Sequence, residues 1–231
     1  MTEFSHGVEP VRQPRPPISK GGDCFACSVL AILRHLFPER EVTLEFVHKV
    51  FESEYTTGGT YYQNTWDGYD HALHRLSSGY FHDDKRFEKF DIEYRRFYPV
   101  FNMEHLRLHN PHWNNPGGYT DWGWMVDAFL RAGYLLLVEM NSDGEGPVRT
   151  VDGKPHPNFI DHVAVVEGVR RRLVRVSKEA RKYIQEFHLV DSNKRHKTNE
   201  YWIDVDDLLF LHGVAGFWMI RRAIPVQEED E

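Results

Sequence analysis

A chain of 231 residues with 41% hydrophobic and 14% aromatic side chains has enough apolar surface for one packed domain or two small lobes around a cleft, and is too apolar for global disorder. Its formal net charge of −7 argues against a binder of nucleic-acid backbone, which is ordinarily basic. No apolar run nears the ~20 residues of a membrane span, no signal-like stretch opens the chain, and the two cysteines lie too close to staple distant segments, so the expectation is a reducing, cytoplasmic setting with no membrane partner.

Residues 1–20 are polar and proline-rich (Pro10, Pro14, Pro16, Pro17) and read as an extended arm draped over the body. A helix is expected from Asp23 to Phe37. Phe25, Ala26, Val29, Leu30, Ile32, Leu33, Leu36 and Phe37 share one side at 3.6-residue spacing, Asp23 stands at the N-cap and Pro38 stops the run. The other side carries Cys24, Cys27, Ser28 and Ala31, small enough for a second layer to pack closely. A second helix is expected over Thr43 to Glu54. Residues 55–121 are rich in Tyr, Trp, His and Gly and weakly periodic, and read as an unassigned insertion of short helices and loops.

Beyond it the spacing predicts a helix over Trp122 to Ala132, closed by Gly133. Strands follow at Tyr134–Met140, His162–Val169 and Glu186–Val190, with a short piece at Tyr201–Ile203, a helix at Asp204–Leu211 and a last strand at Gly216–Arg222. Arg170-Arg171-Arg172 with Arg175 reads as a solvated hairpin, and residues 227–231 as an acidic tail. Helices first and strands later suggest an α+β fold. A mainly helical lobe (21–132) would face a mostly antiparallel sheet lobe (133–226) across a cleft, all within one domain at 21–226.

The residues that suggest chemistry are ordered along the chain. A thiol nucleophile works as thiolate, and the positive end of a helix favours that form; Cys24 sits at such an end. His162 opens an apolar strand, where its ring can reach a cleft and serve as the base. Asp191 or Asn193, after the next strand, could orient that ring. His162 lies 138 positions after Cys24, inside the roughly 130–150 typical of papain-type enzymes. Other readings stand beside this one. Cys24-x-x-Cys27 could be a redox pair or two buried structural cysteines, His162 could cap a strand, and Asp191-Ser192-Asn193 could be a plain turn. His71 with His74, and His105, His109 and His112, have helix-like spacing, but no closed ligand set completes them, so neither metal nor cofactor is expected.

Gly22-Asp23-Cys24-Phe25 before an apolar helix resembles the Gly-Asp-Cys segment of calpains. The second half is similar to the bacteriocin-processing peptidase domains of ABC transporters: a helix from Trp124, then His162-Val163-Ala164-Val165-Val166, Val190-Asp191, and Trp202 to Leu208, in the same order. The resemblance covers Gly21 to Phe37 and about Trp122 to Ile220. It implies a papain-like fold, a Cys24–His162–Asp191 triad without metal, and hydrolysis of a peptide or isopeptide bond in a peptide or protein substrate. The same scaffold could run acyl transfer, as in transglutaminase-like enzymes, or be a silent binding module. The sequence departs from the family pattern in three places. Ile18 stands where these families carry an oxyanion glutamine, with Ser19 as a nearby substitute and Gln13 as the nearest upstream glutamine. Phe25 replaces a small glycine, and Cys27 is an alternative nucleophile, because papain uses the second cysteine of a Cys-x-x-Cys group.

Overall fold

The computed structural model describes residues 2–14, 23–51, 66–81, 85–97, 120–140, 150–151, 154–155, 162–178, 180–192, 199–210 and 216–224. Ile18, Ser19, Asn193, the histidines at 105, 109 and 112, and the acidic tail lie outside them.

Helix α1 (Cys24–Leu36) is buried all round for its first ten residues, Cys24 to Leu33, because it lies between a sheet and two further helices. It ends where expected: Phe37 N–H donates to Leu33 O at 2.9 Å and Pro38 follows. Helix α2 (Leu44–Val50) is set by Thr43, whose hydroxyl accepts from Phe46 N–H at 3.1 Å. Helix α3 (Trp66–Ser78) and strand β2 (Ile92–Phe97) both arise within the segment read as an insertion. Helix α4 (Thr120–Arg131) leads through Gly133, in the left-handed region at φ 85°, into β3 (Leu135–Met140). The long β6 (His162–Arg175) and β7 (Arg181–Val190) form a hairpin, followed by β8 (Glu200–Asp204), α5 (Val205–Phe210) and β9 (Gly216–Arg222). Strands β4 (Thr150–Val151) and β5 (Lys154–Pro155) pair with each other.

The other strands form one seven-stranded antiparallel sheet among the described residues, in the order β2-β9-β3-β6-β7-β8. Strand β1 (Thr2–Ser5) joins it beside β6, in line with the start of β3: Ser5 is opposite Gly168 and Thr2 opposite Arg171. The start of the arm is therefore a sheet strand. Gly168 allows this, since a Cβ there would meet Phe4 O at 2.8 Å. A register shift between Val166 and Gly168 marks a bulge at Glu167, whose buried carboxylate receives Ser5 Oγ at 2.7 Å and Gly7 N–H at 2.6 Å and contacts His188.

Two cores follow from strand alternation. Leu135, Leu137, Val163, Val165, Trp218 and Ile220 face α1, α2 and α3. Leu136, Val138, Ala164, Val166, Phe217 and Met219 face α4 and α5. The fold is thus α+β, as expected, but α4 and β2 depart from the expected partition into a helical and a sheet lobe: α4 covers the opposite sheet face, and β2 is an edge strand. No described helix is long and apolar enough to cross a membrane.

Candidate active site

One end of the sheet gathers the residues of interest. β6 and β7 are antiparallel, so the start of one lies beside the end of the other; Val165 is opposite Val190. His162 and Asp191 are thereby neighbours. α1 crosses the same end, and Ser28 Oγ donates to Val163 O at 3.2 Å, fixing the helix start one turn earlier against the histidine. Small residues on that side of α1 permit the close approach, as the sequence implied.

His162 Nε2 and Asp191 Oδ1 are 2.6 Å apart, and both side chains are buried. The Cys24 side chain acts on the same ring and favours its charged form. With Nε2 given to Asp191, Nδ1 is the nitrogen left for the sulfur. Burial pulls the imidazole down, but the hydrogen bonds to Asp191 and Cys24 and their charges outweigh it and push it up to about 10. Cys24 acts on His162; Cys27 is fully buried in α1, and neither is in a disulfide.

Asp191 is held on every side. Its N–H donates to Asn199 O at 2.8 Å, its carbonyl accepts from Asn199 Nδ2 at 2.7 Å, and its Oδ2 accepts from Tyr201 at 3.3 Å. Asn199 adopts φ 54°, a region asparagine tolerates better than most residues. Burial and Asp191 hold the Tyr201 hydroxyl well above the ordinary phenol range, so it remains a donor. Sequence reasoning passed over both residues; the only signal was an Asn and a Tyr near a strand that returns beside β7.

One expectation is corrected. Asp23 occupies the N-cap position, yet its side chain caps nothing: its backbone is already helical at φ −72°, ψ −2°. The carboxylate turns to His48 Nε2, 3.4 Å away, while its carbonyl accepts from Cys27 N–H at 2.8 Å. Gln13, the nearest upstream glutamine, binds on the acid side of the trio: its N–H donates to Ser192 O at 3.2 Å and its amide to Ser192 Oγ at 3.1 Å. The arm thus ties down the residue after Asp191. The Cys24 N–H, in the first turn of α1, has no partner of its own within the helix and is a candidate oxyanion donor.

Behind the cysteine lies an aromatic and acidic group. Tyr69 stacks on Phe25 with centroids 3.9 Å apart and meets Trp218 edge-on at 5.3 Å. Trp218 Nε1 donates to Asp70 at 2.7 Å, and Asp70 also pairs with Arg96. Glu139 of β3 is buried beside them; desolvation pushes its carboxyl up to about 8, against a smaller opposing pull from Arg96. Tyr69 is raised by burial first, then by the charges of Glu139 and Cys24. No group of three or more His, Cys, Asp or Glu among the described residues is arranged to hold a metal. Neither a protein-family model nor a curated protein matches this sequence.

Proposed function

We propose that this chain is a papain-like cysteine peptidase, a thiol hydrolase cleaving a peptide or isopeptide bond through Cys24, His162 and Asp191. The observation that carries the reading is the imidazole of His162, hydrogen-bonded through Nε2 to the buried Asp191 carboxylate and raised further by the Cys24 thiol. A third group that orients and charges the ring separates a working base from a histidine that merely caps a strand.

The reaction follows from these groups. His162 takes the Cys24 proton, giving a thiolate–imidazolium pair that Asp191 stabilises. The thiolate attacks the carbonyl carbon, and the oxyanion faces the Cys24 N–H at the positive end of α1. Collapse breaks the carbon–nitrogen bond, and His162 gives its proton to the leaving amine. Water, deprotonated by His162, then opens the thioester, releasing the acid and restoring the thiol pair. A reducing, cytoplasmic setting would keep Cys24 available for each cycle.

The burial of both Cys24 and His162 favours acyl transfer to an amine as the second reading, because excluded water would leave the thioester to another acceptor. Incubating the protein with a library of fluorogenic peptides, with and without glycinamide as acceptor, tests both. Cleavage or transfer that falls at least about 10³-fold in Cys24→Ala and in His162→Ala supports the triad. Turnover that survives either substitution removes it.

A further inference from the structure

Strand β3 reads Leu-Leu-Leu-Val-Glu-Met, and Glu139 is its one charged residue. Alternation places it on the face of Leu135 and Leu137, toward α1 and α3, the face on which Cys24 lies. Across the sheet it is flanked by Val163, the residue after His162, and by Gly216, which offers no side chain. Glu139 is 1% exposed, and among the described residues its Oε1 has no hydrogen-bond partner.

Four other buried carboxylates are closed by partners: Glu167 by Ser5, Gly7 and His188, Glu186 by Arg170 and Arg172, Asp127 by Arg131 and Arg171, and Asp191 by His162 and Tyr201. Asp23 also has an Oδ1 without a hydrogen-bond partner among the described residues, but it faces His48 Nε2 at 3.4 Å. Arg96 attracts Glu139, but it is Asp70 that its Nη1 pairs with. A buried polar atom without a partner is costly, and such atoms point to a ligand or a catalytic task.

We propose that Glu139 is the floor of a specificity subsite that takes a basic side chain, lysine or arginine, of the peptide substrate beside the bond that Cys24 attacks. The inference rests on the thiol-peptidase reading. A cationic head would complete a one-to-one pair at Oε1. Without that cation the carboxyl is protonated at neutral pH, as its position at about 8 requires. Binding therefore releases a proton.

The probe is a blocked tripeptide with a central arginine, set against the same peptide with citrulline, its neutral isostere. Binding to the full chain carrying Cys24→Ala is measured by calorimetry in buffers of different ionisation enthalpy. Expected are a preference for arginine of about 30-fold or more and release of about one proton per peptide at pH 7. Glu139→Gln should bring the ratio near one and abolish the release. Equal binding of the two peptides, binding of arginine without proton release, or a preference retained in Glu139→Gln overturns the proposal. If that variant does not fold, Glu139→Met supplies the ratio, and the proton count on the parent sequence decides alone. These readouts need no turnover, so failure of all peptides to be cleaved would count against the peptidase reading and leave this result standing.

Discussion

Replacing Asp191 by asparagine tests the most highly organised part of the site. The substitution keeps the shape and removes the charge opposite His162. A hydrogen bond to a charged group is worth about 1.5–3 kcal/mol, and one pKa unit corresponds to about 1.4 kcal/mol. The His162–Asp191 contact is short at 2.6 Å and shielded from solvent on both sides, so the upper part of that range applies. His162, held at about 10 in the parent, should fall by roughly one to two units. The stability effect has a definite sign. A histidine raised above its ordinary value of 6.5 contributes stability that is complete below that pH and is lost as pH rises through about 10. The gap in unfolding free energy between parent and Asp191→Asn should therefore be largest near pH 6 and shrink by pH 10.5. Titration of the His162 ring protons by NMR reads the first quantity, and urea unfolding across pH reads the second. A His162 titration unmoved by the substitution, or a stability gap independent of pH, refutes the reasoning.

Glu139 should behave in the opposite sense. Its carboxyl is raised from the ordinary range near 4.5 to about 8, so the folded chain loses stability as pH climbs from 4.5 through 8. Glu139→Gln should thus be more stable than the parent at pH 9, with the advantage gone by pH 4; a constant difference in urea unfolding would contradict the assignment. Glu167 is held near 2, because its hydrogen bonds from His188 and Ser5 outweigh desolvation. Its contribution is present above pH 4.5 and lost as pH falls through about 2, so Glu167→Gln should flatten the acid limb of the unfolding curve. The same variant should speed hydrogen exchange at Phe4 and Gly7 relative to β3, since the arm loses its anchor; unchanged exchange there would mean that β1 pairing alone secures it.

Much of this architecture was legible in the sequence. Helix α1, the apolar strands β3 and the inner part of β6, and the Val190-Asp191 strand end were read from periodicity, which reports burial on one element. What periodicity does not report is pairing between distant segments. Thr2–Ser5 becomes a strand only because Gly168 and the Glu167 bulge receive it. Ile92–Phe97, half polar, is an edge strand whose apolar side is supplied by β9. The outer half of β6 was read as a solvated hairpin from its arginines, and it is one; what the sequence did not show is that Arg170 and Arg172 pair with Glu186 on β7. At the site, the order cysteine, histidine, aspartate was visible, and so was the small-residue side of α1. Asn199 and Tyr201 act through Asp191, and no spacing rule announces such support. Glu139 could have been flagged as a lone carboxylate in an apolar strand, but that it lacks a partner at Oε1 is a property of the folded chain.

The central claim is that His162 makes Cys24, and not Cys27, the reactive thiol. Alkylation by iodoacetamide near neutral pH, followed by peptide mapping, tests it most directly. The account predicts that the label falls on Cys24, that its rate drops by about tenfold or more in His162→Ala, and that Cys27→Ala reacts like the parent. Equal labelling of both cysteines, or a Cys24 rate indifferent to His162, would contradict it.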